Sequence, residues 1–149
     1  MLNLPPIELR TRTDAQGRTD VFDPYRKRFV RLTPEEEVRQ TFLGFLTNYL
    51  GYPAGRTAVE HPVNVNGLHQ RADIVIFDKA ARPYMVVECK APHIKITQAT
   101  FRQALRYNTQ LGTRILVITN GMQHFCALLT DKGDATMLSE IPPYTEGKQ

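Results

Sequence analysis

The 149-residue sequence lacks any long apolar run; the longest, such as residues 74–77 and 115–119, are strand-sized. A membrane span needs about 20 consecutive apolar residues, so no membrane partner is expected. Cysteine is scarce: Cys89 and Cys126 alone exclude a disulfide framework. The N-terminus has no apolar stretch of the kind found in secretory leaders, which makes a reduced, cytoplasmic setting the expectation. There is no internal repeat, no low-complexity segment, no Gly-rich dinucleotide fingerprint and no G-x-x-x-x-G-K-[ST] phosphate loop. What remains is ordinary globular material. With 42% apolar and 23% charged residues, the chain has enough to bury one core and is not a disordered tail.

Charge is modest overall, at +4, but unevenly placed. Residues 1–31 carry seven basic groups against four acidic ones, three of the four net positive charges. Residues 1–32 read as a basic, extended lead-in without sustained periodicity. They are either a solvated arm or an electrostatic contact for phosphates, and composition does not separate the two.

A core is expected over 33–131. Thr33 as N-cap, Pro34 in the first turn and Glu35 and Glu36 beside it mark a helix start. Val38, Phe42, Phe45, Leu46 and Tyr49 continue it at helical spacing until Gly51 and Pro53, which predicts a helix over about 34–50. The period then changes to two. Val59, His61, Val63 and Val65 lead into the hairpin signal Asn66-Gly67, followed by strands over 70–77 and 84–90. A second helix is predicted over 97–111, then strands over 114–119 and 124–130 separated by Asn120-Gly121. The expected order is α-β-β-β-α-β-β, an α/β fold with a mixed β-sheet and flanking helices. Residues 132–149 read as a polar C-terminal tail that frays.

Three residues carry the chemistry: Asp73, Glu88 and Lys90. Residues two apart in a strand share a face, which puts Glu88 and Lys90 together. If strands 70–77 and 84–90 pair antiparallel about the middle of their connection, Asp73 falls directly opposite Glu88, with Cβ atoms about 5 Å apart. Facing carboxylates repel, or one takes up a proton, unless a cation lies between them. Hard oxygen donors at that spacing suit Mg²⁺ or Mn²⁺, with substrate phosphate completing the coordination. Lys90 beside them would orient water or steady charge on a phosphate. The plain alternative is a Glu88–Lys90 ion pair on an ordinary strand. Against it, the apolar run Tyr84-Met85-Val86-Val87 leads straight into the charges, and a central strand ending in acids needs a partner for them. His61, His69, His93 and His124 show no zinc spacing with the cysteines. The Cys89 thiol should point away from Glu88 and Lys90, into packing.

Asp73, then Glu88-Cys89-Lys90, then a helix carrying Gln103 and Tyr107, resembles the PD-(D/E)XK nuclease superfamily. More narrowly, four segments together resemble the N-terminal nuclease domain of type I restriction enzyme R subunits. They are Pro34-Glu35-Glu36-Glu37-Val38-Arg39-Gln40, Arg71-Ala72-Asp73-Ile74-Val75, Val87-Glu88-Cys89-Lys90-Ala91-Pro92 and Thr119-Asn120-Gly121. Each is weak singly; four in order over residues 33–130 are a more specific signal.

The resemblance implies a restriction-endonuclease-like core and a Mg²⁺-dependent DNA endonuclease site. Asp73 and Glu88 would be metal ligands, with the Cys89 backbone carbonyl as a third oxygen and Lys90 as the water-positioning or transition-state-stabilising base. A carboxylate of the first helix joins such sites; Glu36 is the choice here, with Glu35 as its rival. Gln103 and Tyr107, one helical turn apart, match a Q-x-x-x-Y element that holds DNA or the catalytic groups. R subunits of this type continue into an ATP-driven motor, and the phosphate loop is missing here. The implied partners are therefore DNA, a separate motor protein or other restriction-modification subunits, and a second copy where both strands are cut. The rival class is a non-catalytic nucleic-acid-binding or assembly module on the same fold.

Overall fold

Strand pairing divides the molecule into two sheets. The computed structural model describes residues 1–145. A three-stranded antiparallel meander comes first: β1 (Thr11–Thr13), β2 (Thr19–Asp23) and β3 (Arg28–Arg31). Helix α1 (Pro34–Gly44) follows and runs into a π-helical turn over Phe45–Tyr49. Six strands then make the main sheet in chain order: β4 (Thr57–Val65), β5 (Leu68–Phe77), β6 (Pro83–Cys89), β7 (Ile115–Thr119), β8 (His124–Leu129) and β9 (Ala135–Leu138). Helix α2 (Gln98–Thr109) lies between β6 and β7. The β6–β7 pair is parallel and the other pairs of this sheet are antiparallel. A parallel pair needs a crossover, and the α2 segment supplies it.

Local chemistry explains these elements. The Thr33 hydroxyl accepts the Glu36 amide at 3.0 Å, and three glutamates occupy the first turn of α1. Asn66 and Gly67 both have positive φ, +53° and +79°, the type I′ geometry that joins β4 to β5. Val38, Phe42, Leu43 and Leu46 of the first helix pack on Ile74, Ile76, Met85, Val87, Ile115 and Val117. On the opposite face Ala104 of α2 packs on Leu116, Ile118 and Ala127. Strand β7 is buried along its whole length, as expected of a strand covered on both faces. No helix among the described residues is long and apolar enough to cross a membrane.

Three expectations are corrected. Residues 1–32 are not an arm without regular structure. Their strands are only three to five residues long, with alternation masked by charged side chains, yet Val21 and Asp23 are fully buried. The expected order α-β-β-β-α-β-β is preceded by these three strands and followed by β9. The tail does not simply fray from 132. After β9, the Tyr52 hydroxyl donates to the Pro142 carbonyl at 2.6 Å, and the Tyr144 amide donates to the Leu50 carbonyl at 2.8 Å. The Tyr144 ring meets Tyr52 edge-on. Residues 146–149 lie outside the described residues.

Tyr144→Ala is expected to lower folding stability by about 1–2 kcal/mol in urea denaturation, because it removes an edge-to-face ring contact and buried apolar area. A fraying tail would leave the midpoint unchanged.

Candidate active site

The apolar cores of β5 and β6 set the site. Ile74 stands opposite Val87, Val75 opposite Val86 and Ile76 opposite Met85, the register in which one further step brings Asp73 to Glu88. At that step the ladder becomes irregular. Ala72 packs with Val75 and Val86, although strict alternation would put it on the face of Ile74 and Ile76. On the neighbouring strand, Glu60 has φ +53° and is skipped between the pairs Val59–Ile74 and His61–Ala72. Asp73 therefore emerges where the strand turns over, and its Oδ2 accepts the Cys89 amide at 2.8 Å.

Glu88 alternates with the core residues Val87 and Cys89 and lies on the α2 side. There it lines an open cleft of about 540 Å³ together with Lys90, Gln103 and Tyr107. No hydrogen bond or ion pair engages the Glu88 carboxylate among the described residues. Its pKa is raised by burial and further by the charge of Asp73, with Lys90 acting against both. Burial also raises Asp73, aided by the charge of Glu35, while the Cys89 amide, Arg39 and Lys90 hold it down. The Tyr107 hydroxyl is buried without a hydrogen-bond partner among the described residues, and burial plus the Glu88 charge raise its pKa. The Cys89 thiol is buried in the α1-side core, its pKa pushed well up by burial, which suits an inert packing group.

Glu36 is placed differently. It is buried, with Oε2 receiving Arg26 at 2.7 Å and the Gln40 amide at 3.0 Å. It reaches Asp73 only through Arg39, which lies 3.8 Å from Glu36, 3.2 Å from Glu60 and 3.4 Å from Asp73. Arg26 extends the network to Asp23 and to Glu60. Glu35, one residue earlier, is exposed, and its charge is felt at Asp73. The network holds four carboxylates (Asp23, Glu36, Glu60, Asp73) against two guanidiniums, an excess of negative charge. Sequence reasoning missed Arg26, Arg39 and Glu60. Arg39 sits one turn after Glu36, which was an available signal, whereas Glu60 falls on the polar face of the β4 alternation and gave none.

The structure thus brings Glu88, Lys90, Gln103 and Tyr107 to one cleft and ties Asp73, which does not line it, to the Cys89 amide between Glu88 and Lys90, while Glu36 faces the ion network. Among the described residues no three His, Cys, Asp or Glu side chains form a metal-binding group; Glu88 is the carboxylate that lines the cleft, and Asp73 stands behind it on the Cys89 amide.

An α/β domain with charged groups at the ends of its central strands is the general class. The fold is similar to a structure described as a fragment of an HsdR subunit of a type I restriction enzyme from Vibrio vulnificus YJ016. The TM-score is 0.54 at 21% identity, over 74% of this chain and 24% of that one. This chain spans about a quarter of that chain's length, and at such identity the likeness is one of fold. The family model described as type I restriction enzyme R protein N terminus matches residues 34–142, and the chain belongs to that family. No curated protein matches it.

The raised Glu88 pKa has a consequence for stability. The folded state holds a proton that the unfolded chain has already released, so stability falls as pH rises above the ordinary glutamate range near ~4.3. The penalty is complete above the folded pKa. Glu88→Gln is therefore expected to melt higher than the parent at neutral pH in chelator, with the gap closing as the solution is acidified below that range. Thermal unfolding across pH reads this directly.

Proposed function

We propose that this domain hydrolyses DNA phosphodiester bonds with Mg²⁺ or Mn²⁺, as the nuclease part of a type I restriction system. The carrying observation is that Glu88 and Lys90 open onto one cleft from the end of an apolar strand, with Asp73 bound at the intervening Cys89. The donor chemistry fits a hard divalent cation: two oxygen donors with raised pKa values, surplus negative charge behind them, and an unpartnered Tyr107 hydroxyl beside Glu88.

Asp73, Glu88 and the Cys89 carbonyl would hold the cation, and the charge of the first-helix carboxylate Glu35 acts on Asp73. When bound, the cation supplies polarisation of the scissile phosphate and a lowered pKa for water. Lys90 would steady negative charge developing on the phosphoryl oxygens and orient the attacking water. Gln103 and Tyr107 would donate hydrogen bonds to the DNA backbone. The partners on this reading are DNA and the other restriction-modification subunits, including a motor protein, in the cytoplasm.

A second reading has one observation in its favour. The Arg39 guanidinium lies 3.4 Å from Asp73, where a protein cation already offsets part of its charge. This would suit a nucleic-acid-binding or assembly module without turnover.

Cleavage of supercoiled and linear DNA decides between the two. With Mg²⁺ or Mn²⁺ the parent protein is expected to cut, and Glu88→Ala and Lys90→Ala to lose about 100-fold or more while keeping the parent circular dichroism. Equal cutting by both variants would overturn the site. Salt-sensitive binding without cleavage at any metal condition would favour the second reading.

A further inference from the structure

The basic groups of the N-terminal meander are largely committed to neighbours. Arg12 and Arg31 pair with Asp20, Arg18 pairs with Asp14, and Arg26 pairs with Asp23 and Glu36. Arg10 and Arg12 also lie over the Phe22 and Phe29 rings. At Arg12, Arg18, Arg26 and Arg31 a phosphate would have to displace a carboxylate already in place; outside those ion pairs and ring contacts, Lys27 and Arg28 stand exposed among the described residues.

The cleft above Glu88 has the opposite character. Two walls form it. One is the β4–β5 hairpin: β6 pairs with β5 only from Ile74 onward, so residues 61–72 project past the end of β6. The projecting tip is exposed, and it contributes Asn66 and Gln70 to the cleft. The other wall is one face of α2, where Thr100, Gln103, Arg106, Tyr107 and Gln110 recur at helical spacing. Neither wall carries an acid. The sequence has no Asp or Glu from residue 61 to 72 or from 89 to 130, and the second stretch contains Lys90, Lys95, Arg102, Arg106 and Arg114. Among the described residues Glu88 is thus the single carboxylate lining the cleft, at its floor, beneath amide, hydroxyl and guanidinium groups.

We infer that a DNA strand lies in this cleft between the projecting β4–β5 hairpin and helix α2, its phosphates contacted by Arg106 and its sugar-phosphate backbone or base edges by Asn66 and Gln70. The inference deepens the proposed function and rests on its placing the scissile phosphate at Glu88. The acid-free walls supply attraction for a polyanion along the cleft, and the one acid lies where a cation is needed. Amide side chains donate and accept, as backbone positioning and base-edge contacts both require. Arg106 is exposed and free of ion pairs among the described residues, so a phosphate displaces nothing to reach it.

The test is fluorescence anisotropy of the 149-residue chain with a short fluorescein-labelled DNA duplex, titrated in chelator across salt concentrations. Chelator prevents cleavage, so binding is read apart from chemistry. Arg106→Gln is expected to weaken binding several-fold and to reduce the slope of log affinity against log salt by about 1. Arg106→Lys should restore the slope, and Gln70→Ala should weaken binding with the slope unchanged. Arg12→Gln, on the meander, should bind as the parent does. Parent-like binding by both Arg106→Gln and Gln70→Ala would overturn the inference, as would weakening by Arg12→Gln equal to that of Arg106→Gln, or no salt-dependent binding by the parent. Glu88-dependent cleavage with Arg106-independent binding would sink this inference and leave the nuclease reading standing. Arg106-dependent binding without cleavage would do the reverse.

Discussion

Uncompensated negative charge at the end of an apolar sheet is the constraint on which the rest of this structure depends. Strands β5 and β6 are buried almost without exception from Ile74 to Ile76 and from Met85 to Val87, and each then meets a carboxylate. Moving an ionised carboxylate out of water costs several kcal/mol unless it is paired, hydrogen-bonded or neutralised. The protein solves this in different ways at its two acids. Asp73 takes the Cys89 amide and the field of Arg39. Glu88 receives only the nearby Lys90 charge, and its pKa is raised. The residual stress is concentrated at Glu88, the carboxylate that faces the cleft.

The ion network behind Asp73 also gives the N-terminal meander a place in the architecture. Arg26 lies in the turn between β2 and β3 and bridges Asp23, Glu36 and Glu60. Arg39 bridges Glu36, Glu60 and Asp73. The meander, α1 and the irregular stretch of β4 are thereby joined to the Asp73 end of the sheet. Arg39 is buried; its Nε and Nη1 face Glu36 and Glu60 without hydrogen bonds among the described residues, and its Nη2 lies 3.4 Å from Asp73, on which it acts as a charge. Loss of one arginine would leave buried and half-buried carboxylates facing one another.

Those features with local causes were legible in the sequence. The cap at Thr33, the Asn66-Gly67 turn, the two helices and the β5–β6 register each follow from short-range chemistry or from the length of one connection. The features with non-local causes were not. The meander strands are too short and too charged for alternation to show, and their burial depends on contacts with distant elements. Strand β9 is a four-residue exposed edge strand within a polar tail, too short for a buried face to show as alternation. Glu36 and Glu35 could not be separated from helical spacing alone, since their roles depend on where Arg26 and Arg39 arrive. Gln103 and Tyr107 share a helix face by spacing, but only the position of α2 over β6 brings that face to the Glu88 cleft.

Calorimetric titration of Mn²⁺ into the metal-free protein, in buffers of different ionisation enthalpy, tests the central claim most directly. Carboxylates with raised pKa values release protons when a cation binds. The parent is therefore predicted to bind Mn²⁺ at a discrete site with proton release in mildly acidic buffer, and Glu88→Gln to lose both the binding and the proton release. Undiminished binding by Glu88→Gln, or no binding by the parent, would contradict a cation site formed by Asp73 and Glu88.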